Sequence, residues 1–134
     1  TRRLIESTND DVKLLIDTGH MLFAGGNSIK LTEDFIERII HVHCKDIRKD
    51  VLEKSLKNDS TFRQAFLDGA FTVPGDGCID YKPFLAILKN KNYEGWLVVE
   101  AEQDPAKANP LEYAKIGYNY LSKTAKECGF TIIN

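Results

Sequence analysis

Four short apolar runs alternate with helical patterns along this chain, and that alternation restricts its fold more than any other feature. Val12 to Asp17 (VKLLID) is nearly continuous in apolar residues, as expected of a strand buried on both faces. Arg38 to His43 (RIIHVH) is the second run, and Trp96 to Glu100 (WLVVE) is the last. Between them, Phe71 to Val73 is a very short strand broken by Pro74 and Gly75. After the first run a Gly-containing loop leads to Thr32, the expected cap of a helix through Glu37 with acids in its first turn. Residues 48–68 carry helical spacing through Val51, Leu52, Leu56, Phe62, Ala65 and Phe66 until Gly69 stops it. Asp80 is placed to cap a helix bearing Phe84, Leu85 and Leu88. Asn109 and Pro110 open the last helix, with Leu111, Ala114, Tyr118, Leu121 and Ala125 at helical intervals.

Strand–helix alternation with runs this apolar implies an α/β fold of parallel strands joined by right-handed crossovers. Two architectures satisfy it: a doubly wound open sheet, or part of a (β/α)8 barrel. A complete barrel takes roughly 250 residues, so four strands would make about half of one. The chain has 134 residues, enough for one domain with its own core, residues 1–134. Its opening, TRRLIESTNDD, has no initiating Met and reads as the end of a helix with its exit turn. It is therefore expected to be part of a longer protein.

Composition narrows the function classes. An apolar fraction of 43% and a charged fraction of 28% are those of an ordinary globular protein. A net charge of -2 gives no reason to expect nucleic acid or an anionic membrane as partner. No secretory leader or membrane-length apolar run is apparent. Cys44, Cys78 and Cys128 have no CxxC spacing and are odd in number, which argues for a reducing, cytoplasmic setting. All three read most simply as small apolar fillers.

In either architecture ligands bind beyond the carboxyl ends of the parallel strands. Those ends carry Asp17 with His20, His43 with Lys45 and Asp46, the Pro74-Gly75-Asp76-Gly77 turn, and Glu100 with Glu102. Asp, His and Glu on separate strands suit a divalent cation held mostly by oxygen, Mn2+ or Co2+ with Mg2+ as a further candidate. His41 and His43 share a side of their strand, as do Glu100 and Glu102. Each residue also has a plain structural reading: Asp17 as a loop cap, His41 as a satisfied core histidine, PGDG as a tight turn, Asp46 as half of a solvated pair with Lys45. Their convergence on one rim favours a site.

The stretches DTGHMLFAGG, RIIHVHCKDIR, FTVPGDGCIDY and GWLVVEAEQDPAKANPLEYAKIGYNYL span most of the chain. With them the chain resembles the xylose-isomerase-like TIM-barrel superfamily and, within it, the inosose dehydratases. The DxxH and HxH patterns indicate the superfamily, and FTVPGDG with VVEAEQDP narrows the resemblance. That resemblance implies the C-terminal half of a TIM barrel, with Asp17, His43 and Glu100 as three of four metal ligands. The fourth, a glutamate on the strand before Asp17, has no counterpart here, and Glu6 is not given the role. The reaction implied is metal-dependent dehydration of 2-keto-myo-inositol, with glutathione also associated with the family.

Glu102, His20 and Lys45 are the expected acid–base groups, and His20, His41, Lys45 and Asp76 the expected substrate contacts. Glu100 and Glu102 could exchange the ligand role. The expected partners are a polyol or ketose, the N-terminal half of the barrel, and further copies of the chain in a homo-oligomer. The rival readings are a ketose epimerase or isomerase on the same barrel, a non-catalytic metal- or sugar-binding half-barrel, and a zinc-dependent repair nuclease. The acidic balance disfavours the last.

Overall fold

The computed structural model describes residues 1–133. In chain order the elements are α1 (Arg2–Glu6), β1 (Leu14–Asp17), α2 (Thr18–Phe23), α3 (Ser28–Phe35), a 3-10 turn (Ile36–Arg38), β2 (Ile39–Cys44) and β3 (Asp46–Ile47). There follow α4 (Lys49–Lys57), α5 (Phe62–Leu67), β4 (Phe71–Thr72), α6 (Tyr81–Asn90), β5 (Trp96–Val99) and α7 (Pro110–Glu127). Parallel strands in the order β1-β2-β5 form the main sheet. The fold class expected from the alternation holds for these three strands.

The third expected strand departs from the pattern. Phe71–Thr72 does not join the parallel sheet but pairs antiparallel with β3, Asp46 facing Thr72 and Ile47 facing Phe71. Only three residues separate Gly69–Ala70 from Pro74, which has no N–H to extend a ladder. The short run therefore takes the nearest free edge, the chain leaving β2. Thr32 also differs from expectation: Asn27 caps α3 by accepting from the Lys30 amide, and Thr32 lies buried inside that helix. Arg38 belongs to the 3-10 turn rather than to β2. Its guanidinium bonds the carbonyls of Val12 and Thr8 and so ties the α1–β1 connection to the turn.

Helices α3, α6 and α7 pack side by side over one face of the sheet. Ile16, Val42 and Cys44 meet Tyr81, Phe84, Leu85, Leu88 and Leu121 there, and burial of each large side chain contributes roughly 1.5–3 kcal/mol. The other face is bare, which corrects the expectation that β1 is buried on both sides. Leu15, Ile40 and Trp96 are 47%, 58% and 73% exposed. A break in register makes this two-sidedness workable. Leu14 pairs with Ile39 but Leu15 pairs with His41, so Ile40 is skipped. Such a bulge re-aims the side chains beyond it. Ile39 stays in the core while His41 and His43, two residues apart, both turn to the bare face.

Candidate metal centre

Three parallel strand ends converge at the carboxyl edge of the bare face. Asp17 closes β1, His43 lies beside it in register, and Val98 pairs with His43, which brings Glu100 two residues later to the same rim. One donor atom each from Asp17, His43 and Glu100 lies within 4.8 Å of the others. His43 Nδ1 is 2.6 Å from Glu100 Oε2 and 3.7 Å from Asp17 Oδ2. For ligands held ~2.1 Å from one ion, neighbours lie about 3.0 Å apart and opposites about 4.2 Å. The trio fits that span. Glu100 Oε2 is buried and has no hydrogen bond of acceptable direction, although His43 Nδ1 is so close. Two atoms aimed at a common point rather than at each other behave this way.

Asp17 makes two sets of contacts, one as a helix cap, as its plain reading expects, and one towards the cluster. Its Oδ1 accepts from the His20 amide at 2.8 Å and caps α2. Its Oδ2 faces the cluster, 3.5 Å from Lys45 Nζ and 3.7 Å from His20 Nδ1.

Glu102 belongs to a second group. Lys45 Nζ donates to its Oε2 at 2.6 Å, and His20 Nε2 lies 2.7 Å from the same oxygen. Lys45 Nζ is also 3.1 Å from His20 Nε2 and 3.3 Å from Glu100 Oε2. With a proton on Nε2 the imidazole donates to Glu102; without it, the nitrogen accepts from Lys45. Burial pushes the Glu102 carboxyl up, but the bonds from Lys45 and His20 outweigh it and hold it below its ordinary range. Burial likewise pulls the Lys45 ammonium down, and Glu102, Asp17 and Glu100 more than reverse that. Both groups are thereby kept charged.

The neighbouring Asp46 is not the solvated partner of Lys45 that the sequence suggested. Both side chains are fully buried and diverge, since successive residues of an extended chain point oppositely. Asp46 turns under the PGDG loop, where its Oδ1 accepts from the amides of Ile47 and Ile79. Burial raises its carboxyl above the ordinary value, against the lowering effect of those amides.

Asp76 stands apart from the donor trio. Its Oδ2 accepts from Arg48 and from Thr72 Oγ1, each at 2.6 Å. Among the described residues its link to the rim runs through Thr72, to which Gln103 donates at 3.4 Å. His41 sits one step deeper than His43, their rings edge to face at 5.3 Å. The cysteines divide: Cys44 is a buried filler, whereas Cys78 is exposed and Cys128 half-buried.

Several contributors carry no motif. Thr18 Oγ1 and the Tyr81 hydroxyl both donate to the Lys45 carbonyl, at 2.7 and 2.9 Å, and fix the backbone under the ammonium. Phe62 and Phe71 meet the His20 ring edge to face at 5.9 and 5.1 Å and wall the rim with apolar surface. Gly19 gave the one available signal, because a Cβ there would lie 2.7 Å from Lys45 Cγ.

Comparison with known proteins agrees with this geometry. The family model described as "Xylose isomerase-like TIM barrel" matches residues 1–124. A rhizopine catabolism protein, MocC, of Rhizobium meliloti is 48% identical over 130 residues, covering 97% of this chain and 40% of the relative. Inosose dehydratases of Clostridium tetani and Clostridium beijerinckii are 53% and 51% identical, over 92% and 90% of this chain and 42% and 41% of their own lengths. The chain thus spans about two fifths of the length of the curated relatives it matches. Parallel strands, a rim of converging donors and a match over nearly the whole chain lead to one assignment: this chain belongs to the xylose isomerase-like TIM barrel family.

Proposed function

We propose that this chain is the C-terminal part of an inosose dehydratase, a hydro-lyase that removes water from 2-keto-myo-inositol. Asp17, His43 and Glu100 would hold a divalent cation there, completed by a carboxylate from the N-terminal part of the barrel. Two carboxylates, one imidazole and no thiolate suit Mn2+ or Co2+. When bound, such a cation supplies Lewis-acid stabilisation of the negative charge growing on the ketone oxygen.

The single observation that carries this reading is the separation of the two glutamates. Glu100 lies with His43 and Asp17, whereas Glu102 lies with Lys45 and His20. Dehydration beside a ketone needs a base for the α-proton and an acid for the departing β-hydroxyl. Glu102, kept ionised by Lys45 and His20, takes the α-proton. The electron pair released forms the ring double bond as the β-carbon–oxygen bond breaks. His20, bonded through Nε2 to Glu102 and half-exposed at the rim, delivers a proton to the hydroxyl, which leaves as water. Lys45 holds its proton tightly and so acts as a fixed positive charge that orients Glu102 and substrate oxygens. His41 and Asp76 line deeper and outer parts of the substrate space.

The test is the complete protein given scyllo-inosose with Mn2+ or Co2+, the dione product being followed by absorbance. Product should form, chelation should abolish it, and Glu102→Gln should retain metal while turning over at least about 100-fold more slowly. Interconversion of ketoses without a dione would replace this reading by an epimerase or isomerase. Metal binding with no turnover of any ketose would leave a binding module.

A further inference from the structure

The segment Lys45–Arg48 sends its side chains alternately to the rim and beneath it, and one of them has no place in the chemistry above. Asp46 is fully buried, yet it points away from the metal centre. Its Oδ1 accepts from the Ile47 amide at 2.7 Å and from the Ile79 amide at 2.9 Å. Its backbone faces Thr72 in the β3–β4 ladder, and the Cys78 amide bonds the Ile47 carbonyl at 2.9 Å. A Cβ on Gly77 would fall 2.2 Å from the same Oδ1, so the loop backbone rests directly on this carboxylate. Two residues on, Arg48 grips the loop from outside through Asp76.

We infer that Asp46 is a positioning residue: its carboxylate sets the height of the 74–79 loop and so places Asp76 and Thr72 beside the substrate space. The inference rests on the functional reading above only for its kinetic consequence. Its structural content, two amides held by one oxygen, stands without it. The acceptor oxygen matters here and the charge does not. Oδ2 is buried without a hydrogen-bond partner among the described residues, so the amide nitrogen of an asparagine would replace one unpaired group by another.

The experiment compares Asp46→Asn, Asp46→Ala and Gly77→Ala in the complete protein, by amide hydrogen exchange and by steady-state kinetics with inosose. Asp46→Asn should keep Ile47 and Ile79 protected and leave KM and kcat near those of the parent. Asp46→Ala should lose protection at both amides and raise KM about ten-fold, with kcat within about two-fold and metal content unchanged, as expected for loss of a binding contact. Gly77→Ala, which pushes on the same oxygen from the loop side, should raise KM in the same way if Asp46→Ala fails to fold. The inference is overturned if Asp46→Asn loses the Ile79 protection or if the two kinetically testable variants lower kcat instead of raising KM. Should the parent prove inert towards inosose, the functional reading falls, and hydrogen exchange alone decides the role of Asp46.

Discussion

Replacing Lys45 by Met isolates what the buried ammonium does. The side chain is fully buried, and its Nζ lies 2.6 Å from Glu102, 3.3 Å from Glu100 and 3.5 Å from Asp17. Met preserves the length and removes the charge, leaving three carboxylates crowded at one rim. Breaking a buried ion pair by removing one partner costs roughly 3–5 kcal/mol. Glu100 and Glu102 are 38% and 31% exposed, so water recovers part of that. The lower end, about 3 kcal/mol, is the reasonable expectation. For a protein of the size of the relatives this is a fall in Tm of roughly 5 °C.

The divalent cation proposed for Asp17, His43 and Glu100 would supply the same compensating charge to the same carboxylates. In the metal-free protein the Lys45→Met variant should therefore melt about 5 °C below the parent, by the scaling just used. Mn2+ at 1,000 times its Kd stabilises by about 4 kcal/mol and should bring the variant back to the melting temperature of the chelated parent or above. The variant should also bind the cation at least about ten-fold more tightly, because a positive charge that competes for those oxygens is gone. Differential scanning calorimetry with and without chelator, and metal titration by calorimetry, measure both effects. Equal melting of chelated parent and variant, or weaker metal binding by the variant, would refute the view that Lys45 and the cation share one set of carboxylates.

Tyr81→Phe removes a donor from the Lys45 carbonyl while Thr18 keeps the other, so a loss of about 1–2 kcal/mol in urea unfolding is expected. Asp46 predicts a pH dependence of defined sign. Its folded-state carboxyl titrates above the ordinary value of 3.8, so in that window the folded chain keeps a proton the unfolded chain has released. Its contribution to stability falls as pH rises through the window, and urea unfolding of Asp46→Asn from pH 3 upward should lack that term. Glu102 has the opposite sign: its lowered carboxyl stabilises above the ordinary value of 4.5, and that stability is lost as pH falls through the folded-state value. The chain by itself should self-associate, because Leu15, Ile40 and Trp96 are exposed together with free strand edges; light scattering from a stable monomer would contradict this.

The alternation of runs revealed the α/β class, and strand-end chemistry pointed to the cluster of Asp17, His43 and Glu100, because both depend on local order along the chain. Asp80 and Asn109 were legible as helix caps for the same reason. The failures share a different cause. Thr32 has the right residue type for a cap, but the core claims it and Asn27 takes the role. Phe71–Thr72 has strand composition, yet which edge it joins depends on the free backbone after Cys44. Asp46 looks like a surface residue because its partners, the Ile79 amide and Gly77, lie more than thirty positions away.

The bulge at Ile40 explains why the site could be read from motifs even though β1 was misjudged. A strand alternates its side chains strictly, so in an unbroken β2 burying Ile39 would bury His41 and His43 with it. Skipping one residue against β1 decouples the two halves of the strand. The first half contributes Ile39 to the core, and the second presents both histidines to the bare face beside Asp17. The apolar run therefore overstated burial, whereas the HxH spacing beyond the bulge obeyed the period of two and reported the rim correctly. Deleting Ile40 would restore unbroken pairing and, by strict alternation, leave Ile39 and Val42 in the core and His41 and His43 on the bare face. Such a deletion should therefore preserve the aim of His43 and the metal binding proposed for it, and loss of metal by that variant would show that the bulge itself, rather than the register beyond it, sets the aim of His43.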